Sequence, residues 1–450
     1  MLTFNTRDYY NMLAKGKIPA TEPLIRVGIF LPEDQMQSVT IDFPDPDNYR
    51  ISPRSCWPQS KTLTASIENG QLIANGREIA KITIQRNALT GDYKQPLIVH
   101  NVTAGRGFHW KKSISSSLLG DLEIRVADGN MLVINELPLE QYLSCVATSE
   151  MSAECPAALI ESQTIVARAW MLANVEQKHR KLGFDVCNDD CCQRYHGTGF
   201  LTPQAITGAQ ATRGQVIMNN DQICDARYSK SCGGMMETFE SVWGGSPLPY
   251  MQNIFDADRN LEWDKLPLSA ENNARDWIDS TPNCFCSPKV VPEKELTKYI
   301  GGVDEAGRYF RWQFDYSQAE LTQLLNQKLQ IDANNIIDIK VIKRGGSGRL
   351  IDIKIEYLDS ADVARSIPVH SEYNIRQTFH PSFLYSSAFY IEKSDIADNI
   401  PDKFSLYGAG WGHGAGLCQI GALGMALQGY KTAAILRHYY PGSRLVTIYS

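Results

Sequence analysis

Hydrophobic and polar positions alternate along much of the first third of the chain. Between residues 22 and 135, apolar or alternating segments such as PLIRVGIFL and VTIDF are separated by Pro and Asp-Pro turns. A period of two is typical of β-strands. Asn75-Gly76 and Asp128-Gly129 interrupt this pattern, and such dipeptides favour tight hairpin turns. The start of the chain is therefore predicted to be rich in β-structure.

At Pro138 the hydrophobic period changes to that of a helix. LEQYLSCVATSEM predicts one helix, and a second is predicted from Pro156 to His179, with Gly183 as its C-terminal stop. Residues 214–243 return to strand and loop. Farther along, a helical SQAELTQLLNQKL precedes two predicted strands, IIDIKVIKR and LIDIKIEYL, across a GGSGR turn.

These elements predict an α+β protein with three regions. The first is a β-rich N-terminal region at residues 1–115. The second is a central mixed domain at residues 116–260 and 380–450, whose helices surround a glutamate-bearing cleft. The third is an α+β insert at residues 261–379.

The charge balance argues against a nucleic-acid partner. The formal net charge is −6, so the chain lacks the bulk basic field that attracts nucleic acid or anionic lipid. No stretch reaches the roughly 18 apolar residues that a transmembrane helix needs. The initial MLTFNTRDYYNMLAKGK has no long apolar core, so neither a transmembrane segment nor a signal peptide is predicted.

The cysteines are clustered and odd in number. Eleven cysteines exclude a complete disulfide framework. Thiolates close in sequence, with an upstream imidazole, suit Zn²⁺ in a closed tetrahedral site. The candidate ligands are Cys187, Cys191, Cys192 and His179, and the CFC pair Cys284 and Cys286 could replace the histidine. Reduced thiols, or an oxidised pair in an exporting compartment, are the alternatives.

Other residues could carry chemistry or hold structure. Glu150 lies between the two predicted helices among small and apolar neighbours, where a poorly solvated carboxyl can donate a proton near neutral pH. A solvated glutamate favoured by the next helix dipole is the alternative. His413, between two glycines, could be a general base, a ligand contact, a metal ligand or a structural hydrogen-bonding group. Gly233 and Gly234 allow close approach of a ligand or simply form a turn.

Several segments, in their order, resemble the family of stage II sporulation protein D and the LytB-type amidase enhancer. The family's LxLExYLxGVVxxEM and ALKAQAVAART correspond to LPLEQYLSCVATSEM and PAALIESQTIVARAW. Its CDTTHCQVYxG, SSGGxTE and GWGHGVGMSQYGAxxMA correspond to CNDDCCQRYHG, SCGGMME and GWGHGAGLCQIGALGMA, and ILxHYYPGT corresponds to ILRHYYPGS. The match runs from about residue 118 to 256 and from about 380 to 446.

The resemblance implies a lytic transglycosylase that acts on peptidoglycan glycan strands in the cell envelope. Such an enzyme cleaves the bond between N-acetylmuramic acid and N-acetylglucosamine without water and leaves a 1,6-anhydro ring. Glu150 falls on the family's catalytic glutamate, as a single acid and base. A cell-wall amidase is a further partner that the resemblance suggests.

The resemblance also implies a zinc site with a structural role. Cys187 and Cys192 match the family's two cysteines, and Cys191 replaces the histidine between them. The expected upstream position holds Lys181, which leaves His179 as the nearest histidine. Residues that the resemblance assigns to binding or orientation around the glycan are Gln163, Arg168, Ser231, Gly233, Gly234, His413 and Gln419. Cys232 and Cys418 replace serines of the family pattern.

Two other functions compete with the transglycosylase. The first is a non-enzymatic module that binds peptidoglycan and stimulates an amidase. The second is a zinc hydrolase in which the metal activates water. The thiolate-rich ligand set argues against the hydrolase, because three cysteines and one histidine leave no open position on the ion.

Overall fold

The chain divides into two compact units. The first unit is Met1–Asp225 together with Leu445–Ser450, and the second unit is Ala226–Arg444. The boundaries of the three predicted regions stay a prediction. The computed structural model describes residues 12–56, 61–87, 93–107, 111–189, 191–300 and 309–450. Residues 1–11, which carry most of MLTFNTRDYYNMLAKGK, lie outside these ranges.

Two six-stranded sheets dominate the first unit. The strands of the first sheet, in spatial order, are Val186–Cys187, Leu24–Phe30, Asn130–Pro138, Asp121–Ala127, Lys81–Arg86 and Tyr49–Ser52. Those of the second sheet are Arg77–Ile79, Gln71–Ala74, Thr62–Glu68, Ser38–Asp42, Leu97–Ala104 and Lys112–Leu118. A smaller sheet orders Gln222–Ile223, Gln215–Asn219 and Arg444–Thr447. The β-rich N-terminal region is confirmed.

Both predicted hairpins form at the dipeptides that indicated them. Asn75 and Gly76 have φ angles of 51° and 70°, and Asp128 and Gly129 have 48° and 74°. Positive φ at both central residues belongs to the turn that matches the twist of the flanking strands. The dipeptides join antiparallel strands in both places.

The helices of the first unit begin where the last of the N-terminal strands, Asn130–Pro138, ends. They are α1 (Leu139–Glu150), α2 (Ala157–Ala173) and α3 (Pro203–Ala211), and they pack against one another. The prediction that the second helix extends to His179 is wrong. Asn174 adopts the left-handed conformation with φ 45° and ends α2 at Ala173, and Gly183 instead ends the short turn Arg180–Leu182.

The second unit has its own sheets and its own hydrophobic core. Arg311–Ser317, Ile400–Ala409 and Phe389–Ala397 form one sheet, and Ala333–Arg344, Leu350–Asp359 and Ala364–His370 form another. Tyr228–Ser229 pairs in parallel with Leu417–Cys418. The helices are α4 (Phe239–Trp243), α5 (Glu271–Asp279), α6 (Glu293–Leu296), α7 (Gln318–Leu329), α8 (Glu372–Thr378), α9 (Gln419–Leu427) and α10 (Thr432–Tyr439).

The predicted elements between residues 317 and 359 are confirmed. The Ser317 hydroxyl caps α7 by accepting from the Glu320 N–H, and the Glu320 carboxylate accepts in return from the Ser317 N–H. The two strands after α7 pair antiparallel. With 26% helix and 35% strand, the α+β class is confirmed. Within the described residues, no helix combines the length and apolar character that crossing a bilayer requires.

Candidate catalytic and metal sites

Glu150 is the last residue of α1, and only 8% of it is exposed. Met151 is extended and stops the helix. One carboxylate oxygen of Glu150, Oε1, accepts a hydrogen bond from the backbone N–H of Arg194 at 3.2 Å. The predicted poorly solvated position of this carboxyl is confirmed, and a backbone amide from another part of the first unit holds it.

The segment that contacts Glu150 continues directly from the predicted metal ligands. We call residues 187–189 and 191–194 the metal loop. Within it, Gln193 donates to the Ala167 carbonyl at 3.1 Å and accepts from the Tyr142 hydroxyl at 3.1 Å. Burial raises the pKa of Tyr142 well above its usual value, so this donor is a neutral phenol. The metal loop is thereby fastened to α1 and α2, and it presents an amide to Glu150.

The four predicted metal ligands lie together in the first unit. Their ligand atoms are all within 4.8 Å of one another. Cys191 Sγ lies 3.9 Å from Cys192 Sγ, and His179 Nε2 lies 3.4 Å from Cys192 Sγ and 4.0 Å from Cys191 Sγ. The sulfur atoms of Cys187 and Cys191 are closer, at 3.0 Å. The His179 ring stacks on Phe184, with ring centroids 4.8 Å apart, which orients Nε2.

The distances from Cys192 fit a single tetrahedral ion, whereas the sulfur atoms of Cys187 and Cys191 would have to move apart to bind it. Zn–S bonds of about 2.3 Å place tetrahedral sulfur atoms about 3.8 Å apart. We call His179, Cys187, Cys191 and Cys192 the first cluster. It needs no ligand from the CFC pair, because His179 completes the group of four. All eleven cysteines are present as thiols rather than disulfides.

Gln163 and Arg168 are fully buried on α2. The guanidinium of Arg168 binds Glu140 through two hydrogen bonds, of 2.9 and 2.5 Å. The Tyr449 hydroxyl also donates to Glu140, at 2.8 Å. The charge of Arg168 is thus balanced inside the protein, and contact with a sugar would require this ion pair to open.

A cavity lies at the other end of α1. Its volume is about 350 Å³, and Glu150 is not among the residues that line it. Glu140 and Gln141 are on its wall, together with Arg213, which pairs with Glu22 at 2.6 Å. Glu140 on the cavity wall is already bound by Arg168, which makes it a poorer candidate for a catalytic acid than Glu150.

The SCGG segment of the second unit, residues 231–234, pairs with the glycine-rich segment GWGHGAG, residues 410–416. Ser231 and Trp411 exchange backbone hydrogen bonds of 2.9 and 2.8 Å. Gly233 and Gly234 form the turn that follows. Their carbonyls accept from the Arg311 side chain at 3.0 Å and from the Asp256 N–H at 2.9 Å. The turn is thus braced by other parts of the second unit.

His413 lies partly buried in the glycine loop, which we define as residues 410–416. Its Nδ1 accepts a hydrogen bond from the Ala415 N–H at 3.1 Å. The Trp243 and His413 rings make an edge-to-face contact, with ring centroids 4.7 Å apart. Burial lowers the pKa of His413 well below its usual value, and nearby positive charges add to this effect. A hydrogen bond with the Tyr228 backbone acts in the opposite direction. The charges belong to Arg227, Arg376 and Arg349.

A neutral His413 whose Nδ1 accepts a hydrogen bond carries its proton on Nε2. It can donate a hydrogen bond there, but it cannot supply a proton as a general acid near neutral pH. Within the described residues, His413 belongs to neither group of side chains that could hold a metal ion. The geometry therefore favours a hydrogen-bonding role for this residue.

The position of Arg349 explains why residue 414 of the glycine loop is a glycine. Its guanidinium donates to the Gly412 carbonyl at 3.1 Å and to the Ser347 hydroxyl at 2.9 Å. Gly414 has a φ of 76°, and a Cβ at this position would collide with the guanidinium. Glycine is needed there both for the backbone conformation and for the space that Arg349 occupies.

A second group of side chains that could hold a metal ion lies in the second unit. It consists of Cys232, Asp256, Cys286 and Cys418, and all four are buried. We call these residues the second cluster. Gln419, which follows Cys418, begins α9 and is 1% exposed.

Sequence reasoning missed several residues that shape these sites. They include Glu140, Asp256, Arg349 and Tyr439. Glu140 lies within the LPLEQYLSCVATSEM motif, but its partner Arg168 lies on another helix. Arg349 belongs to the GGSGR turn and Asp256 lies at the edge of a matched segment, but their partners are distant in sequence, so no local signal indicated either side chain.

Comparison with known proteins identifies the part of the chain around Glu150. Residues 127–219 match the model of the SpoIID family, described as a stage II sporulation protein. The chain carries a SpoIID domain. This domain contains Glu150, Gln163, Arg168 and the first cluster. Residues 237–416 match a second model, described as a domain of unknown function (DUF8618), which includes the whole glycine loop.

Whole-chain similarity extends beyond the SpoIID domain. An uncharacterized protein of Brachyspira hyodysenteriae is 25% identical over 328 residues, which cover 73% of this chain and 72% of that protein. The amidase enhancer of Bacillus subtilis is 25% identical over 317 residues, covering 68% of this chain but only 40% of the enhancer. Stage II sporulation protein D of Bacillus subtilis is 24% identical over 327 residues, covering 69% of this chain and 75% of that protein. The predicted resemblance is confirmed as distant homology to both proteins.

Proposed function

We propose that the chain is a peptidoglycan lytic transglycosylase with Glu150 as its acid and base. The observation that carries the proposal is the placement of Glu150. It is a buried carboxylate at the end of a helix within the SpoIID domain, oriented by the Arg194 amide. A carboxyl held in a fixed orientation can act as a general acid and base if a glycosidic oxygen comes within hydrogen-bonding distance.

The proposed reaction needs one carboxyl group. The Glu150 carboxylic acid protonates the oxygen that links N-acetylmuramic acid to N-acetylglucosamine, and the bond from that oxygen to C1 breaks. The 6-hydroxyl of the same muramic residue then forms a bond to C1. Glu150, now a carboxylate, takes the hydroxyl proton and returns to its starting state. No water is consumed, so the second carboxylate of ordinary glycoside hydrolases is not required.

The first cluster is proposed to be a structural zinc site. Three thiolates and one imidazole fill a tetrahedral ion, which leaves no position for a water to be activated. Zinc bound by His179, Cys187, Cys191 and Cys192 would stiffen the metal loop. Its part in the reaction would be indirect, since the loop supplies the amide that orients Glu150.

The residues assigned to the glycan by resemblance remain proposed binding or orienting residues. Arg168 would act through Glu140 rather than on a sugar, because its guanidinium is fully buried. His413 would hold the glycine loop in place for the glycan, because its imidazole is already hydrogen-bonded to the Tyr228 backbone. The other members of this set are Gln163, Ser231, Gly233, Gly234 and Gln419.

The cell envelope is the proposed location, because glycan strands are found there. A second candidate function is that of a non-enzymatic enhancer of a cell-wall amidase. The similarity to the amidase enhancer favours it, although the chain spans only 40% of that protein. In this case the chain would bind glycan and a cell-wall amidase without cleaving the strand.

The decisive experiment compares the wild-type chain with Glu150→Gln on intact and on peptide-free peptidoglycan. Products are identified by mass. We expect wild-type protein to release 1,6-anhydro ends and Glu150→Gln to lose activity by at least about 10²-fold, the contribution typical of general acid–base catalysis. The two substrates also show whether stem peptides must be removed first.

Glu154→Gln is the matched control, because Glu154 is exposed and only four residues away. It should keep wild-type activity. Full activity of Glu150→Gln would rule out the proposed acid. Reducing ends would indicate hydrolysis. Absence of products, together with stimulation of an added amidase, would favour the enhancer.

A further inference from the structure

Four buried side chains from distant parts of the second unit meet at one point. Cys232 comes from the SCGG segment, Cys286 from the CFC pair and Cys418 from the start of α9, with Asp256 as the fourth member. Their exposed fractions are between 0% and 3%, so water does not reach their ligand atoms freely. A buried carboxylate is costly unless it is paired, hydrogen-bonded or bound to a metal, and three sulfur atoms that can ligate a metal surround this one.

The spacing of the ligand atoms suits one ion. All four lie within 4.8 Å of one another. Cys232 Sγ is 3.7 Å from Cys286 Sγ and 3.3 Å from the Asp256 oxygen Oδ2. Tetrahedral zinc requires separations of about 3.8 Å between sulfur atoms and slightly less between sulfur and oxygen. The atoms are too close together to enclose a cluster of several iron atoms.

Asp256 is oriented as a metal-binding carboxylate would be. Its Oδ2 faces Cys232, while its other oxygen, Oδ1, accepts from the Tyr439 hydroxyl at 2.8 Å and bonds to His438 at 3.1 Å. Partners of this kind fix the orientation of ligands in metal sites. Gly421 makes room for the arrangement, because a Cβ there would collide with Asp256 and Tyr439.

Cys418 is held in place from two directions. Its sulfur accepts from the Gly421 N–H at 3.3 Å, which caps α9, and from the Cys232 N–H at 3.2 Å. The sulfur is thus fixed in position by two backbone N–H groups from separate segments. The same two cysteines are the ones that replace serines of the family pattern, so both departures meet in one place.

We propose that the second cluster is a zinc site, formed by Cys232, Asp256, Cys286 and Cys418. Three thiolates and one carboxylate are soft enough to select Zn²⁺ over Mg²⁺ or Ca²⁺. The site is closed and buried, so its role is to fasten the SCGG turn, the CFC pair and the start of α9 to one another. It is distinct from the first cluster and shares no ligand with it.

The experiment measures the zinc content of the purified full chain, loaded with Zn²⁺ and freed of excess. We expect two zinc ions per chain in the wild type. Cys232→Ser and Cys418→Ser should each hold one, and so should Cys192→Ser, which removes a ligand of the first cluster. Cys284→Ser is the matched control, because Cys284 is buried and adjacent to the site but outside the ligand group. It should hold two.

X-ray absorption on Cys192→Ser isolates the second cluster from the first. We expect three sulfur neighbours near 2.3 Å and one oxygen neighbour around the remaining ion. This measurement supports the proposal even where a substitution at Cys232 or Cys418 prevents folding.

Two results would overturn the proposal. One is a wild-type content of a single zinc that Cys192→Ser abolishes. The other is a disulfide between Cys232 and Cys286, found by peptide mass mapping of fully loaded protein. Either result would assign these thiols to packing or to redox chemistry instead.

Discussion

Two histidines of the chain are held in the neutral state by their surroundings. Burial, followed by the charges of Arg194 and Lys112, lowers the pKa of His196 to about 3. Burial and three arginines lower the pKa of His413 in the same direction. Burial of a neutral imidazole makes the free energy of unfolding depend on pH. The reason is that the unfolded chain binds a proton at a pH where the folded chain does not.

The pH dependence of His196 can be predicted with its sign. Its contribution to stability is complete above the unfolded pKa of about 6.5 and is lost as pH falls toward 3. Between pH 7 and pH 5 the loss is about 2 kcal/mol. We therefore expect His196→Gln to lose about 2 kcal/mol less than wild type over this interval, measured by denaturant unfolding at both pH values. Equal losses would contradict a buried neutral His196.

The glycine loop shows how an element can depend on the space left by a missing side chain. Gly414 and Gly429 have similar left-handed φ angles, 76° and 88°. A Cβ on Gly429 would meet no heavy atom within 4 Å, whereas one on Gly414 would collide with Arg349. The two positions therefore separate backbone strain from steric exclusion.

Gly414→Ala is expected to destabilise the second unit more than Gly429→Ala. The control should cost about 1–2 kcal/mol through its backbone conformation alone. Gly414→Ala should cost on the order of 2 kcal/mol more, because the Arg349 guanidinium would have to leave its buried acceptors. Thermal unfolding of both variants checks the difference. Similar costs would show that Arg349 moves aside easily.

Elements were predictable where local chemistry decides them. The hairpins at Asn75-Gly76 and Asp128-Gly129 and the capped helix α7 all follow from residues that are neighbours in sequence. The end of α2 was not predictable in this way, because the helix-compatible sequence VEQKH continues past Asn174 without a glycine or proline. A single left-handed residue overrides that pattern.

At the scale of the whole molecule, the two clusters differ in how far apart their ligands lie in sequence. Three ligands of the first cluster lie within six residues, so the sequence predicted the group. Those of the second cluster extend from residue 232 to residue 418, and only the fold brings them together. For the same reason, the CFC pair could not be assigned from sequence.

Replacing zinc by Cd²⁺ tests whether metal takes part in the proposed glycan cleavage. Cd²⁺ binds thiolates well but activates water differently, so a structural site should tolerate the exchange. We expect cadmium-loaded protein to retain activity within about 3-fold of the zinc form, since the acid of the reaction is a carboxyl. The formation of anhydro ends by both forms is the readout. A loss comparable to that of Glu150→Gln would support the zinc hydrolase instead.

If both clusters bind zinc as proposed, their thiols also impose an order on the maturation of the chain. A sulfur atom bound to zinc is protected, whereas a bare thiolate is open to oxidation to sulfenic acid or disulfide. Metal must therefore arrive before oxidants do. A metal-free chain exposed to an oxidising compartment would form disulfides among these cysteines, and the oxidised chain could not reach its native state.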